Sequence, residues 1–120
     1  MKKSIHDENP TIDLEFLSGI IENDKEFEKE LFEIFIENAK KNIDKLESAT
    51  DIGNDSDWYM ASHAFKGAAT SIGAFNLAET LEEAQQSPGK SVAIKKAILV
   101  KIKDEFDKVL LFIKDNKIAH

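Results

Sequence analysis

Three residues near the middle of the chain, His63, Lys66 and Gly67, set a nucleophile, a cation and a missing side chain at helical spacing. At about 100° per residue, Lys66, Gly67 and Thr70 all fall within about 60° of His63. Trp58, Ala61, Phe65, Ala68, Ala69 and Ile72 take the opposite side and read as a buried face. An imidazole is mostly neutral near physiological pH, so its lone pair can attack an electrophile without a base to activate it. An ammonium group beside it suits an electrophile that carries negative charge. Gly67 strengthens the pattern, because a glycine inside a helix costs about 1 kcal/mol relative to alanine. On a solvent-facing stripe that cost gains nothing for packing, but it clears space over the ring for a phosphoryl group or another protein's backbone. Singly, these are a surface histidine, a solvated lysine and an odd glycine. Together they suit reversible phosphorylation of His63.

Tyr59 and Met60 lie on the same side, about 40° and 60° from His63, either as docking residues or as an ordinary helix boundary. Thr70 and Ser71 can bond a phosphoryl oxygen or simply face water.

The elements that must hold this stripe are all helical. Apolar residues recur at three-and-four spacing, and the few prolines and glycines fall mostly where helices should stop. A first helix is expected over 11–22, with Ile12, Phe16, Leu17, Ile20 and Ile21 apolar. Asp24 is placed to cap a second, long helix over 25–49. Its seam reads as Phe27, Leu31, Ile34, Phe35, Asn38, Ile43 and Leu46, widened by Phe32 and Ile36. The short first helix should cover that extra width, or part of it stays open to a partner. Asp55 is the expected cap of the helix that bears His63, which should end near Gly73. Asn76 with Glu79 has the form of a capping pair opening a fourth helix over 77–86, with Leu77, Leu81 and Ala84 inward. Ser87-Pro88-Gly89 ends it. A fifth helix, 91–116, repeats Ile94, Ile98, Ile102, Phe106, Val109 and Ile113. No stretch alternates with period two. The expected fold is all-α, an up-down antiparallel four-helix bundle with a short additional N-terminal helix. Residues 1–10 read as a disordered lead-in and 11–117 as a single domain.

Composition narrows the function classes. The chain has 120 residues, a formal charge of −7 and no cysteine. The acidic balance argues against nucleic acid or an anionic membrane as a partner. Without cysteine there is no disulfide framework and no thiolate metal site or nucleophile. No apolar run approaches the roughly 18–20 residues of a membrane span, and the start lacks the apolar stretch of a signal peptide. A cytoplasmic protein is expected. Of the three histidines, His6 and His120 lie near the ends, no HExxH spacing occurs, and no metal site is expected. Glu82-Glu83 and Asp104-Glu105 read as solvating charge.

The run His63-x-x-Lys66-Gly67-x-Ala69-x-x-x-Gly73-Ala74-x-x-Leu77, with Leu81 beyond it, resembles the signature of histidine-containing phosphotransfer (HPt) domains of multistep two-component phosphorelays. The resemblance extends over essentially the whole chain. It implies that His63 accepts a phosphoryl group on Nε2 from a receiver aspartyl phosphate and passes it to another receiver aspartate. Lys66 would steady the phosphoryl oxygens and Gly67 would leave them room. Many members carry an orienting glutamine on the following helix; Gln85 occupies that spacing, with Gln86 beside it. Ala68 stands where some members have serine. The family's docking surface implies Phe16, Leu17, Ile20 and Met60 as partner contacts. The implied partners are response-regulator receivers and hybrid sensor kinases, with Mg²⁺ supplied by the receiver's acidic pocket and no cofactor on this chain.

Sensor-kinase dimerisation domains also phosphorylate a helical histidine, but they place an acidic residue directly after it, where this chain has Ala64. They also need an ATP-binding domain, for which 120 residues leave no room. A monomeric phosphocarrier without autokinase activity is therefore expected. The rival is a non-catalytic helical adaptor that binds a protein through the Phe32/Ile36 or Phe16/Ile20 surface.

Overall fold

The computed structural model describes residues 11–51 and 54–115, and among them five helices and no strand. These are α1 (Leu14–Ile21), α2 (Lys25–Ser48), α3 (Asp55–Ser71), α4 (Phe75–Gln85) and α5 (Val92–Asp115). The expected lead-in over 1–10 and the end of the expected domain at 116–117 lie outside the described residues.

Local chemistry sets the helix boundaries. Asp13 Oδ1 accepts from the Phe16 amide at 3.0 Å, and Asp24 Oδ1 accepts from the Phe27 amide at 3.0 Å, so aspartates cap both α1 and α2. The first helix therefore begins three residues later than the apolar pattern suggested, because Thr11 and Ile12 precede its cap. Ser91 Oγ plays the same part for α5, accepting from the Ile94 amide at 3.2 Å.

The α3–α4 turn is a Schellman closure. The Ala74 amide donates to the Ala69 carbonyl at 2.9 Å and the Gly73 amide to the Thr70 carbonyl at 3.1 Å. Gly73 takes the left-handed conformation, φ +79°, that this closure requires. Its carbonyl accepts the Asp13 amide at 2.9 Å, tying the start of α1 to this turn.

Two expected caps are not formed. Asn54, not Asp55, precedes α3, and its side chain donates instead to the Ser48 carbonyl at 3.4 Å. Asn76 lies inside α4, whose first residue is Phe75, because the Gly73–Ala74 closure lets the next helix start at once.

The four longer helices enclose one core. α3 packs most extensively on α4, then on α2; α4 packs on α5, and α5 returns to α2. Trp58, Phe65 and Ala69 of α3, with Ile72 directly after it, meet Leu77, Leu81 and Ala84 of α4 in a single apolar cluster, as the sequence pattern implied, while Ala68 is only partly buried. Phe35, Phe65 and Phe106 pack ring to ring, with centroids 6.2–6.4 Å apart.

The expected seam of α2 holds at Phe35 and Leu46, which are buried, and at Leu31 and Ile43, which pack against the core, but not at Phe27, Ile34 and Asn38. Phe32, Phe35, Ala39, Asn42 and Leu46 face inward, whereas Ile34 is 58 % exposed and Phe27 and Asn38 face solvent. Phe32 is fully buried and Ile36 partly so, and the Phe32/Ile36 surface proposed for an adaptor is not presented to a partner. In α5, Ile94 is exposed and Lys95 takes its place in the core.

Candidate functional site

The site is built where α3 and α4 run side by side. Trp58 sets their register from within: its indole N–H donates to the Ala84 carbonyl at 2.7 Å, near the C-terminal end of α4. Ser62, buried beside it, donates back to the Trp58 carbonyl at 2.8 Å. Fixing Ala84 on the inner side places Gln85 on the outer side, opposite His63.

His63 is exposed. Its ring stacks on Tyr59, centroids 6.1 Å apart and planes 7° from parallel. Gln85 lies between the two: its Oε1 is 3.4 Å from His63 Nδ1, and its Nε2 is 3.5 Å from the Tyr59 hydroxyl. An amide whose nitrogen faces the hydroxyl presents its oxygen to the imidazole. This arrangement suits the tautomer in which Nδ1–H donates to Gln85 Oε1 and Nε2 keeps the lone pair. Gln86, the other candidate, does not approach the ring; its Nε2 donates to Glu82 Oε2 at 2.6 Å.

One turn along from His63, a Cβ added at Gly67 would meet nothing within 4 Å. Thr70 and Ser71 donate their hydroxyls to the Lys66 and Ala68 carbonyls at 2.9 and 2.7 Å, so both are engaged with their own helix.

Lys66 is not a free cation. It leans across to α4, where its Nζ is 2.6 Å from Glu82 Oε1. Lys66 and then Gln86 hold the Glu82 carboxyl below its ordinary pKa by hydrogen bonding to its charged form. Glu82, read from the sequence as solvating charge, is thus part of the site's immediate surroundings. The signal that could have found it is its place one helical turn before Gln85.

The apolar residues expected around the site divide. Tyr59, Met60, Phe16 and Ile20 are exposed, Met60 the most at 62 %. Leu17 is 2 % exposed and belongs to the core; its expected docking role is corrected, because the Asp13 cap turns Leu17 and Ile21 inward and leaves Phe16 and Ile20 outside. Phe75, which the sequence reading passed over, joins Phe16 edge-on at 5.3 Å. On the other flank, Met60 and Ala64 border a groove of about 660 Å³ between α2 and α3, whose walls include Asp44, Lys45 and Asp57.

A second missed group is Lys95. Its side chain is 1 % exposed, with Nζ 2.9 Å from Asp55 Oδ1 and 5.5 Å from the centroid of the Trp58 ring. It closes the end of the core beneath Trp58 rather than reaching the histidine.

None of the described helices is long and apolar enough to cross a membrane. No curated protein and no solved structure matches the chain. The Hpt domain family model matches residues 30–110, a span that includes His63, Lys66, Gly67 and Gln85 but not α1. An exposed histidine with an open turn beside it, on a helical chain that this model covers for most of its length, gives the family: the chain belongs to the Hpt domains, phosphocarriers that exchange phosphoryl groups with receiver domains and kinases in two-component phosphorelays.

Proposed function

We propose that His63 takes a phosphoryl group from the aspartyl phosphate of one receiver domain and hands it to the aspartate of another. The observation that carries this reading is the His63–Gln85 contact of 3.4 Å at Nδ1, on an exposed ring one turn from Gly67, where an added Cβ would meet nothing within 4 Å. In the forward step the Nε2 lone pair forms the N–P bond, and the P–O bond to the donor carboxylate breaks with its electron pair left on oxygen. Nδ1 keeps its proton, so the ring becomes positively charged, and Gln85 Oε1 accepts the N–H that carries this charge. Gln85 is the orienting residue, Lys66 steadies the phosphoryl oxygens, and Gly67 leaves the space in which they sit. Tyr59, Met60, Phe16 and Ile20 form the docking surface. Mg²⁺ comes from the receiver, whose acidic pocket binds it during transfer. The chain has no ATP site and does not phosphorylate itself. It acts in the cytoplasm as a single domain and a monomer, the four longer helices forming one up-down bundle with α1 laid on the outside, and it has no nucleic-acid partner.

The test is incubation of the chain with a phosphorylated receiver domain and Mg²⁺. The chain should acquire phosphate that is labile in acid and stable in alkali. His63→Gln should abolish that signal and leave the helical circular dichroism unchanged. A wild-type chain that takes phosphate from no receiver, or a His63→Gln chain that still takes it, sinks the reading.

A further inference from the structure

The polar contacts between α3 and α4 share one register. His63 faces Gln85 and Lys66 faces Glu82, three residues on along one helix and three residues back along the other. Because the two helices run antiparallel, the contacts form successive rungs of one ladder. The first rung pairs a neutral ring with a neutral amide. The second pairs a full positive charge with a full negative one. Both Glu82 oxygens are engaged, one by Lys66 and the other by Gln86, each at 2.6 Å. These two bonds, Lys66 first and then Gln86, hold the carboxyl below its ordinary pKa.

The ammonium that would steady a phosphoryl group is therefore already neutralised before one arrives. Resting on the assignment of His63 as phosphoryl acceptor, we infer that Glu82 competes with the phosphoryl group for Lys66 and thereby raises the transfer potential of the phosphohistidine. The charge count shows why. Before transfer, imidazole, ammonium and carboxylate sum to zero. Afterwards the N-linked phosphoryl brings two negative charges, the protonated ring one positive charge, and a single ammonium faces two anions. Lys66 must leave Glu82 or divide its donors, and in either case carboxylate and phosphoryl repel one another. The phosphohistidine is held less tightly than Lys66 alone would hold it. That favours onward transfer, the task of a carrier. Glu82 in this role acts through Lys66 and does not touch the reacting atoms.

Glu82→Gln tests this, since glutamine keeps the length and the oxygen acceptor while removing the charge. At equilibrium with one receiver and Mg²⁺, Glu82→Gln should shift the phosphoryl partition toward His63 by about threefold, the range expected for a partly exposed charge. Added salt should shrink the difference between the two chains. In a Lys66→Met background the same substitution should shift the partition by less than half as much on a logarithmic scale. A purely structural Glu82 would instead lower thermal stability and loading together. If wild type never loads, the assignment of His63 fails. If wild type loads but Glu82→Gln leaves the partition unchanged or moves it toward the receiver, the inference about Glu82 is overturned. An undiminished shift in the Lys66→Met background would overturn the route through Lys66.

Discussion

The two sides of α3 obey opposite rules. On the inner side Trp58 and Phe65 are fully buried, the indole N–H and the Ser62 hydroxyl are hydrogen-bonded, and among the described residues no buried side-chain nitrogen or oxygen lacks a partner. On the outer side the ring of His63 is held by a long contact at one nitrogen, and the space above Gly67 is open. The inner face is optimised to stay as it is, while the outer face is left incomplete so that another molecule can complete it. The same 17-residue helix does both. Substitutions on the two sides should therefore separate stability from transfer.

The largest effect on stability is expected from Trp58→Ala, which empties the centre of the core and removes the indole bond to the Ala84 carbonyl, leaving that carbonyl to its backbone partner, the Ser87 amide. It should cost about 3–5 kcal/mol in denaturant unfolding. A loss below about 1 kcal/mol would mean that the inner face is not the structural one. Next in size is an asymmetry at the base of that core. Asp55→Ala strands the buried Lys95 ammonium and should cost about 2 kcal/mol, whereas Lys95→Met, which leaves only a half-exposed carboxylate, should cost less than half of that. Equal costs would show that the ammonium is not what the ion pair serves.

Gly67→Gln should do the reverse of Trp58→Ala. With room for its side chain and better helix propensity, it should raise stability by about 0.5–1 kcal/mol. Phosphoryl uptake should at the same time fall on the order of a hundredfold, through misplacement at the reacting nitrogen. A chain that unfolds on this substitution would refute the open-stripe assignment.

The smallest effect concerns pH. Bonding to Lys66 lowers the folded-state pKa of Glu82, so its contribution is present above the ordinary glutamate range and is lost as pH falls through the lowered value. Unfolding measured from neutral pH into acid should decline slightly less steeply for Glu82→Gln than for wild type.

The sequence disclosed the outer stripe more fully than the packing behind it. His63, Lys66 and Gly67 are read from spacing within one helix, and a single helix's geometry is fixed in advance. The same holds for the Asp24 cap and for the helix stop at Gly73. The seam of α2 was legible at Phe35 and Leu46 but not at Phe27, Ile34 and Asn38, because apolar residues at helical spacing occur on two of its faces. Ile34 looks as suitable as Phe32 until the neighbours are known, and small Ala39 gives little signal that it is fully buried. Lys95 was invisible for a different reason: its partner, Asp55, lies 40 residues away, and no local pattern marks a lysine as part of a core. Glu82 shows the limit most clearly. Its residue type suggests solvent, and only the alignment of α3 against α4 turns it toward Lys66. Leu17 was assigned to the wrong side of α1 because the cap at Asp13, which sets the helix's rotation, was not anticipated.

The bond between the Asp13 amide and the Gly73 carbonyl joins peptide to peptide, and a side chain at Gly73 would come within 3.1 Å of the Asp13 carbonyl. Part of the attachment of α1 at this end is therefore made by backbone alone, with the edge-on contact of Phe16 and Phe75 beside it. An exchange of Ile20 for another side chain should leave that backbone tie in place. Should the outer face of α1 meet the receiver, as proposed above, such a tie lets the choice of receiver diverge from one descendant to another while the helix keeps its place.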